Sequence, residues 1–540
     1  MQTLHPTRLA RWADKLAVDN EDGLSTAQLM ASHRAFFVLE HTQCVEPERR
    51  QWGAWNFVGF WIADSFNINT WMISSSMIVG GLSWWQSWLC VWLGYAIAGC
   101  FVCSTGRIGA VYHIGFPVVG RSSFGIWGSL WPVFNRAAMA CVWYGVQSWI
   151  GGHCVYLMIR SIWLSWNRET IPNTFPGNSG ATSADYVSFV IFWLCSLPAI
   201  WFPVHKIRHL FTVKAYFVPC AGLAFFIWAI VRAGGCVMSS IANFATLVVN
   251  DPDFTRFATK PRDALWSQLI TIPTGFAITS FIGIIVSSSS VVIYPGSEPI
   301  WDPLELLEKF IDDGGSAQRF GVFVIAAAFA LAQLGTNIAA NSVSAGTDMT
   351  ALLPRFINIR RGGYICAVVG LAMCPYTLLT DSNQFTTYLS AYSVFLSSIA
   401  GVMCCDYYLV RKGYLEVKEL YDARKTGPYF FTFGINWRAY AAYIGGILIN
   451  VVGFAGAVGR DVPAGATYIF KLNFFCGFIV SSTLYWALCR LFPIPATSNH
   501  WMEVGDAITD VRLAYDGSSA QDFDEEAVMG IKYGENTKAV

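Results

Sequence analysis

Apolar runs of about 20 residues, the length needed to cross a hydrocarbon core of about 30 Å, recur along most of this chain. They fall near residues 55–79, 84–103, 131–156, 186–202, 210–231, 236–250, 265–293, 319–342, 364–380, 387–409, 437–456 and 467–491. The pattern predicts an all-α integral membrane protein of about twelve transmembrane helices, the sixth run being the shortest. Short loops separate the runs and polar tails flank them. The expected organisation is an N-terminal tail over 1–54, one transmembrane domain over 55–491 and a C-terminal tail over 492–540. No separate soluble domain fits.

Composition agrees with the membrane as solvent. Of 540 residues, 54% are hydrophobic and 13% charged, against about 25% charged in soluble domains. The mean hydropathy is +0.44. Lys and Arg number 35, as do Asp and Glu, and the basic residues are scattered through loops, which excludes nucleic acid as a partner. The 15 Cys lie mostly inside apolar runs at irregular spacing and read as small buried hydrophobes, not as a disulfide framework. The first 50 residues lack the short apolar core and small-residue cleavage site of a secretory signal.

Loop charge sets an orientation. If the N-terminus is cytoplasmic, the loops on that side carry Arg107, Arg121, Lys206, Arg208, Arg256, Lys260, Arg262, Arg355, Arg360, Arg361, Arg411, Lys412, Lys418, Arg424 and Lys425. The opposite loops hold only isolated cases such as Arg168, Arg232 and Arg460. That asymmetry predicts both termini inside. The acidic tail after Pro495 reads as a solvated, disordered segment, with Lys532 and Lys538 as candidates for recognition by ubiquitin-dependent endocytic machinery.

The first run reads Trp61-Ile-Ala-Asp-Ser-Phe-Asn-Ile-Asn-Thr-Trp71, putting Asp64, Ser65, Asn67, Asn69 and Thr70 at mid-membrane depth. A carboxylate there costs about 2.5–3.5 kcal/mol on insertion scales, so the cluster must face a cavity or partners. Such a cluster marks a broken helix whose backbone coordinates an ion or substrate, or else hydrogen bonds between helices. In the third run Trp143 and Gln147 stand i, i+4 on one face. A flat ring beside an amide that donates and accepts suits a planar heterocycle, although Trp in a bundle also simply packs. The eighth run presents Asn337 and Asn341 at the same spacing, and Asn in hydrocarbon needs a partner. Cys100-Phe-Val-Cys103 lies in an apolar run and His205 with His209 stands alone, so neither reads as a metal or redox centre. No cofactor is implied.

These residues sit in blocks that resemble the nucleobase–cation symporter family 1, and within it the fungal uracil, uridine and allantoin permeases. The blocks are 55–88, WYGVQSWIGG (143–152), NFATLVVNDPDFTRFATKP (243–261), LGTNIAANSVSAG (334–346) and AGVMCCDYYLVRKG (400–413). The resemblance implies a leucine-transporter-like fold of two five-helix inverted repeats, with broken helices 1 and 6 and two further helices. It also implies a substrate site in which Trp143 stacks on the ligand ring while Gln147 and Asn341 hydrogen-bond it. Asn67 stands where a bacterial relative has a substrate-binding glutamine, and Phe244 at a second pocket aromatic. The relative's sodium site maps to Ala63 and Phe66 of helix 1 and to Ala332, Gly335 and Thr336 of helix 8. Gly335 replaces a hydroxyl ligand, which favours the proton coupling associated with fungal members over sodium. Asp64 is then either a proton carrier or a hydrogen-bonding strut. Phe395 of helix 10 is a candidate outer gate. The segment Ile230–Cys236 shortens the lead into helix 6 relative to fungal members.

The expectation is a plasma-membrane proton symporter for uracil, uridine, allantoin or urate, working by alternating access among membrane lipid. The rivals are a non-transporting nutrient receptor on the same fold and a multispanning membrane enzyme.

Overall fold

The computed structural model describes residues 45, 49–176, 180–202, 214, 217–228, 251–373, 375–379 and 382–505. The described residues are almost entirely helical and hold no β-strand. The first run breaks into α1 (Ala54–Ser65) and α2 (Ile68–Val79). Then come α3 (Trp84–Tyr112), the short α4 (Phe116–Phe124), α5 (Leu130–Ile162), α6 (Ser183–Trp201) and α7 (Phe217–Trp228). A single turn at Pro252–Thr255 leads to α8 (Pro261–Ile293). The amphipathic α9 (Pro303–Asp312) precedes α10 (Ser316–Leu352), which carries a π-helical segment at Asn337–Val343. The remaining helices are α11 (Ile359–Ala372), α12 (Ser382–Cys405, continued by a π-helical turn to Val410), α13 (Trp437–Ala457), α14 (Ala464–Lys471) and α15 (Asn473–Leu491). Seven of these are long and apolar enough to cross a membrane: α3, α6, α8, α10, α12, α13 and α15.

Contacts sort the helices into groups. α8 packs along α3, α1 and α2, while α5 packs along α10, α6 and α11. α12, α13 and α15 pack on one another. The faces turned away from these contacts carry large apolar side chains, such as Leu89 and Leu93 on α3, Ile270 and Ile278 on α8 and Leu448 and Val452 on α13. Exposed aliphatic residues repeated along helices in this way suit a hydrocarbon solvent. Glycines set the closest approaches. A Cβ at Gly145 of α5 would stand 2.7 Å from the Gly370 carbonyl of α11, so only glycine lets these backbones meet.

The sequence expectations shift at several borders. The ninth run, read as 364–380, forms α11 from Ile359 and stops at Ala372; Asn358 caps its start by accepting from the Arg361 amide. The last run is interrupted at Leu472, between α14 and α15. The eighth continues through its π-helical segment to Leu352. The sixth run, Phe244, His205, His209 and the segment 230–236 lie outside the described residues, as do 1–44 and 506–540. The chain beyond Pro495 begins in an ordered form. Arg411 donates to the Ala496 carbonyl at 2.6 Å, Trp501 stacks on Tyr408 and Arg107 grips Glu503 at 2.6 Å.

Beneath that segment lies a charged core. Arg411 and Asp406 are fully buried, paired at 2.8 Å, with Ser122 and Tyr485 donating to the same carboxylate at 3.1 and 2.8 Å. Removing one partner leaves a buried charge unmatched, at a cost of about 3–5 kcal/mol. Asp406→Ala is therefore expected to lower the thermal midpoint of the detergent-solubilised protein sharply. The double change with Arg411→Met should recover much of the loss, measured by thermal-shift fluorescence.

Candidate functional site

The break in the first run is built by one side chain. Phe66 turns out of the helix at φ −81° and ψ 76°, and Asn67 is extended at φ −140° and ψ 160°. Asn67 Oδ1 accepts from the Thr70 amide at 2.9 Å, capping α2, and its Nδ2 donates to the Asp64 carbonyl at 2.5 Å, closing α1. Asn is a favoured helix N-cap because its short side chain reaches these orphaned groups. Both polar atoms of Asn67 thus serve the break in this conformation. The broken-helix alternative for this cluster is the one observed.

On α5, Trp143 and Gln147 are both buried, one helical turn apart. Gln147 Oε1 has no hydrogen-bond partner among the described residues, and the same holds for Asn69 Oδ1, Thr70 Oγ1 and both amide atoms of Gln333. A buried polar atom without a partner costs about 1–3 kcal/mol, so a cluster of them is suited to a polar guest. Asn337 donates to the Tyr144 carbonyl at 3.2 Å and to Ser148 Oγ at 2.9 Å, binding the π-helical segment of α10 to α5. Asn341 donates to Asn337 Oδ1 at 3.0 Å. π-Helical segments within α-helices concentrate at functional sites.

Around Trp143 the structure adds rings from α12 that the sequence reading passed over. Phe385 and Tyr392 meet Trp143 edge-on, with centroids 6.5 and 6.3 Å away, and Trp301 lies 5.8 Å from Phe385. Phe395, the candidate gate, stands three residues beyond Tyr392, partly exposed and outside these ring contacts. Tyr392 was recoverable in principle, as an aromatic residue near the start of the tenth run, whereas Phe385 falls two residues before the bounds read for that run.

One of the residues mapped as a cation site, Thr336, meets a charge already in the protein. Lys214, fully buried, donates from its ammonium to Thr336 Oγ1 on α10. Asp64, buried at the end of α1 just before the break, is near enough for its charge and that of Lys214 to interact. A lone lysine inside the fifth apolar run was the signal available in sequence. Among the described residues no group of His, Cys, Asp and Glu could hold a metal ion.

Residues 44–477 match the family model for permeases of cytosine/purines, uracil, thiamine and allantoin. The chain belongs to this permease family. It is 46% identical to the allantoin permease of Saccharomyces cerevisiae over 482 residues, covering 84% of this chain and 75% of that one. It is 44% identical to the uracil permease of the same yeast over 521 residues, covering 91% and 81%. In fold it is similar to Mhp1, a nucleobase-cation-symport-1 family transporter solved in a closed conformation with bromovinylhydantoin bound. The TM-score is 0.66 at 21% identity, over 84% of this chain and 96% of that one. This permease is thus a multi-pass membrane transporter with the leucine-transporter-like architecture, not an enzyme.

Ion networks lie toward both ends of α5, on either side of Trp143 and Gln147. At one end Arg136 of α5, fully buried, donates to Asp348 of α10 at 2.6 Å and to Asp253 at 2.5 Å, and Asp253 accepts from the Phe116 amide at the start of α4 at 2.9 Å. At the other end Glu308 of α9 binds Arg168 at 2.6 Å, Tyr156 at 2.9 Å and Arg160, while Arg160 also holds Asp312 at 2.6 Å. His153 of α5 stands 3.8 Å from Glu308 and 3.7 Å from Asp302. Burial alone would raise the Glu308 carboxyl, but the neighbouring His153, Arg168 and Arg160 bring it down to about 2.

A carboxylate held low contributes its stabilisation fully above its unfolded value, near 4.5, and loses it progressively as the pH falls from there through about 2. Residues 303–312 should therefore stay equally protected from hydrogen exchange at about pH 5.5 and about pH 7, after correction for intrinsic rates. Glu308→Gln should speed their exchange about tenfold at both values, from the loss of about 1–3 kcal/mol.

Proposed function

We propose that this permease imports uracil or a related small oxo-heterocycle, such as allantoin, uric acid or uridine, across the plasma membrane. Both termini are cytoplasmic in this reading, so α9 faces outward. Transport runs by proton symport with alternating access. The observation that carries the substrate class is the unpartnered Gln147 carbonyl on the same face of α5 as Trp143. The ring stacks on Trp143, with Phe244 as the second aromatic wall. The N–H and C=O edge is read by Gln147 and Asn341, with Asn67 at the rim of the break. The names of the yeast allantoin and uracil permeases, and the hydantoin bound to Mhp1, describe cyclic amides and ureides of this kind.

The coupling reading rests on Lys214. Sodium would need a vacant oxygen cage formed by the Ala63, Phe66, Ala332 and Thr336 region, but the Thr336 hydroxyl already takes the Lys214 ammonium. Gly335 offers no side chain to replace it. Asp64 is the nearby carboxylate able to exchange a proton with the translocation path. On this reading the tails face cytoplasmic regulators, including ubiquitin-dependent endocytic machinery.

Uptake of radiolabelled uracil and allantoin in cells lacking their own permeases tests this directly. Gln147→Ala and Asn341→Ala should each lose about tenfold to a hundredfold in affinity, the effect of one buried hydrogen bond worth about 1–3 kcal/mol, at unchanged surface expression. Normal uptake by either variant overturns the site. Collapse of the proton gradient should abolish uptake, while replacing sodium with choline should leave it intact; the reverse pattern overturns proton coupling. Phe395→Ala is expected to widen the range of competing heterocycles, and an unchanged range removes its gate role.

A further inference from the structure

Along α5 the first residues past Gln147 do not close the site off. Trp149, Ile150 and His153, together with Met72, two residues past Thr70 on α2, line a cavity of about 410 Å³. Its far wall is formed by Trp301, Asp302, Leu304 and Glu305 at the start of α9 and by Arg168, Thr182 and Asp185. At 1.5 Å per residue, Trp149 stands about 9 Å along the helix from Trp143. The cavity therefore extends from the central site toward α9, the outward side in the proposed orientation. Its volume falls in the range of about 300–1,000 Å³ usual for small-molecule pockets. One set of rings links the two spaces: Trp301 lines the chamber and touches Phe385, which meets Trp143.

The chamber's charges are unequally occupied. Arg168 is paired with Asp185 at 3.0 Å and Glu308 at 2.6 Å. Asp302 caps α9 by accepting from the Leu304 amide at 2.9 Å and faces His153. Glu305 lines the cavity and takes neither a hydrogen bond nor an ion pair among the described residues, with the charges of His153, Lys309 and Arg168 in its surroundings. A free carboxylate beside the indoles of Trp149 and Trp301 accepts from paired N–H groups while the rings cover a flat apolar face. With both cationic side chains already matched, nothing there recruits an anion.

We propose that this chamber is a second, weaker binding site for a neutral planar ureide or lactam, held by Glu305 before it passes Phe385 into the central site. The assignment rests on the substrate class proposed above. It makes Glu305 a determinant of capture, acting on substrate concentration dependence and not on turnover.

Equilibrium binding of radiolabelled uracil to the purified full chain, alongside uptake in cells, tests it. Wild type should bind two molecules per chain with affinities separated by tenfold or more. Gln147→Ala should lose the tight class and keep the weak one. Glu305→Gln should do the opposite, and in uptake should raise KM about tenfold, the effect of a lost charge-assisted hydrogen bond, with Vmax near wild type. Uracil uptake with one bound molecule per chain, or weak binding that survives Glu305→Gln, overturns the outer site alone. Weak binding displaced by the thiamine cation but not by excess allantoin overturns its neutral-ligand chemistry. Absence of both uptake and binding of uracil and allantoin overturns the substrate class, and the outer site with it.

Discussion

Inside a bilayer no water replaces a lost backbone hydrogen bond, so a helix can be interrupted at mid-depth only where protein or ligand supplies the missing partners. The interruption between Ser65 and Ile68 meets that condition through Asn67, which closes the end of α1 with one atom and opens α2 with the other. α8 covers the break from outside. Ser75 donates to the Gly283 carbonyl at 3.1 Å, and a Cβ at Gly275 would lie 3.0 Å from Ser65 Oγ. α10 touches both halves and carries its own irregular segment, at Asn337–Val343, fastened to α5 by Asn337. Near these two departures from regular helix stand polar atoms without partners among the described residues, at Asn69 and Thr70 of α2, Gln147 of α5 and Gln333 of α10.

What the sequence disclosed follows from what a bilayer penalises. Five polar residues in seven at Asp64 to Thr70 cannot be accommodated on a lipid face, so the break was legible. The same logic marked Gln147 and Asn341. Borders were less legible, because apolar runs and helices end for different reasons. α11 starts five residues before its apolar run since Arg360 and Arg361 sit in its first turn, and Asn358 supplies the cap. α9 escaped a search for membrane spans because its stripe of Leu304, Leu307, Phe310 and Ile311 covers only ten residues. Its role depends on Glu308 meeting Arg160 and Arg168, more than 130 positions earlier in the chain, and no local pattern encodes such a meeting.

Those distant pairings define the two ends of the site. Arg136 joins α5, α10 and the turn before α8 through two carboxylates, while Arg160 and Arg168 join α5 and its following loop to α9. All three arginines belong to one helix and its extension, so α5 is the fixed element against which both ends are latched. In the proposed alternating cycle, opening either end means separating buried charges, which is costly unless they are hydrated as they part. Charge pairs of this sort make each end two-state: closed and matched, or open and wet. The cavity lined by Glu305 lies on the α9 side, and the buried Arg136 cluster lies toward the other end of α5.

The proposed coupling ion can be argued from Lys214 by magnitude. Two unit charges 4 Å apart repel by about 4 kcal/mol at the effective dielectric constant of a partly buried site. A sodium ion sharing the Thr336 hydroxyl with the Lys214 ammonium would be weakened by that amount, about a thousandfold in affinity. Substrate binding cannot offset this, since a neutral heterocycle brings no compensating charge. A proton meets no such obstacle, because it is carried by the groups already present and needs no oxygen cage of its own. With Asp64 close enough to interact with Lys214, a change of protonation on either alters the charge beside the helix break without moving an ion into it. The backbone that forms the substrate site and the groups that would register the gradient are then the same few residues of α1, separated from Asn67 by less than one helical turn.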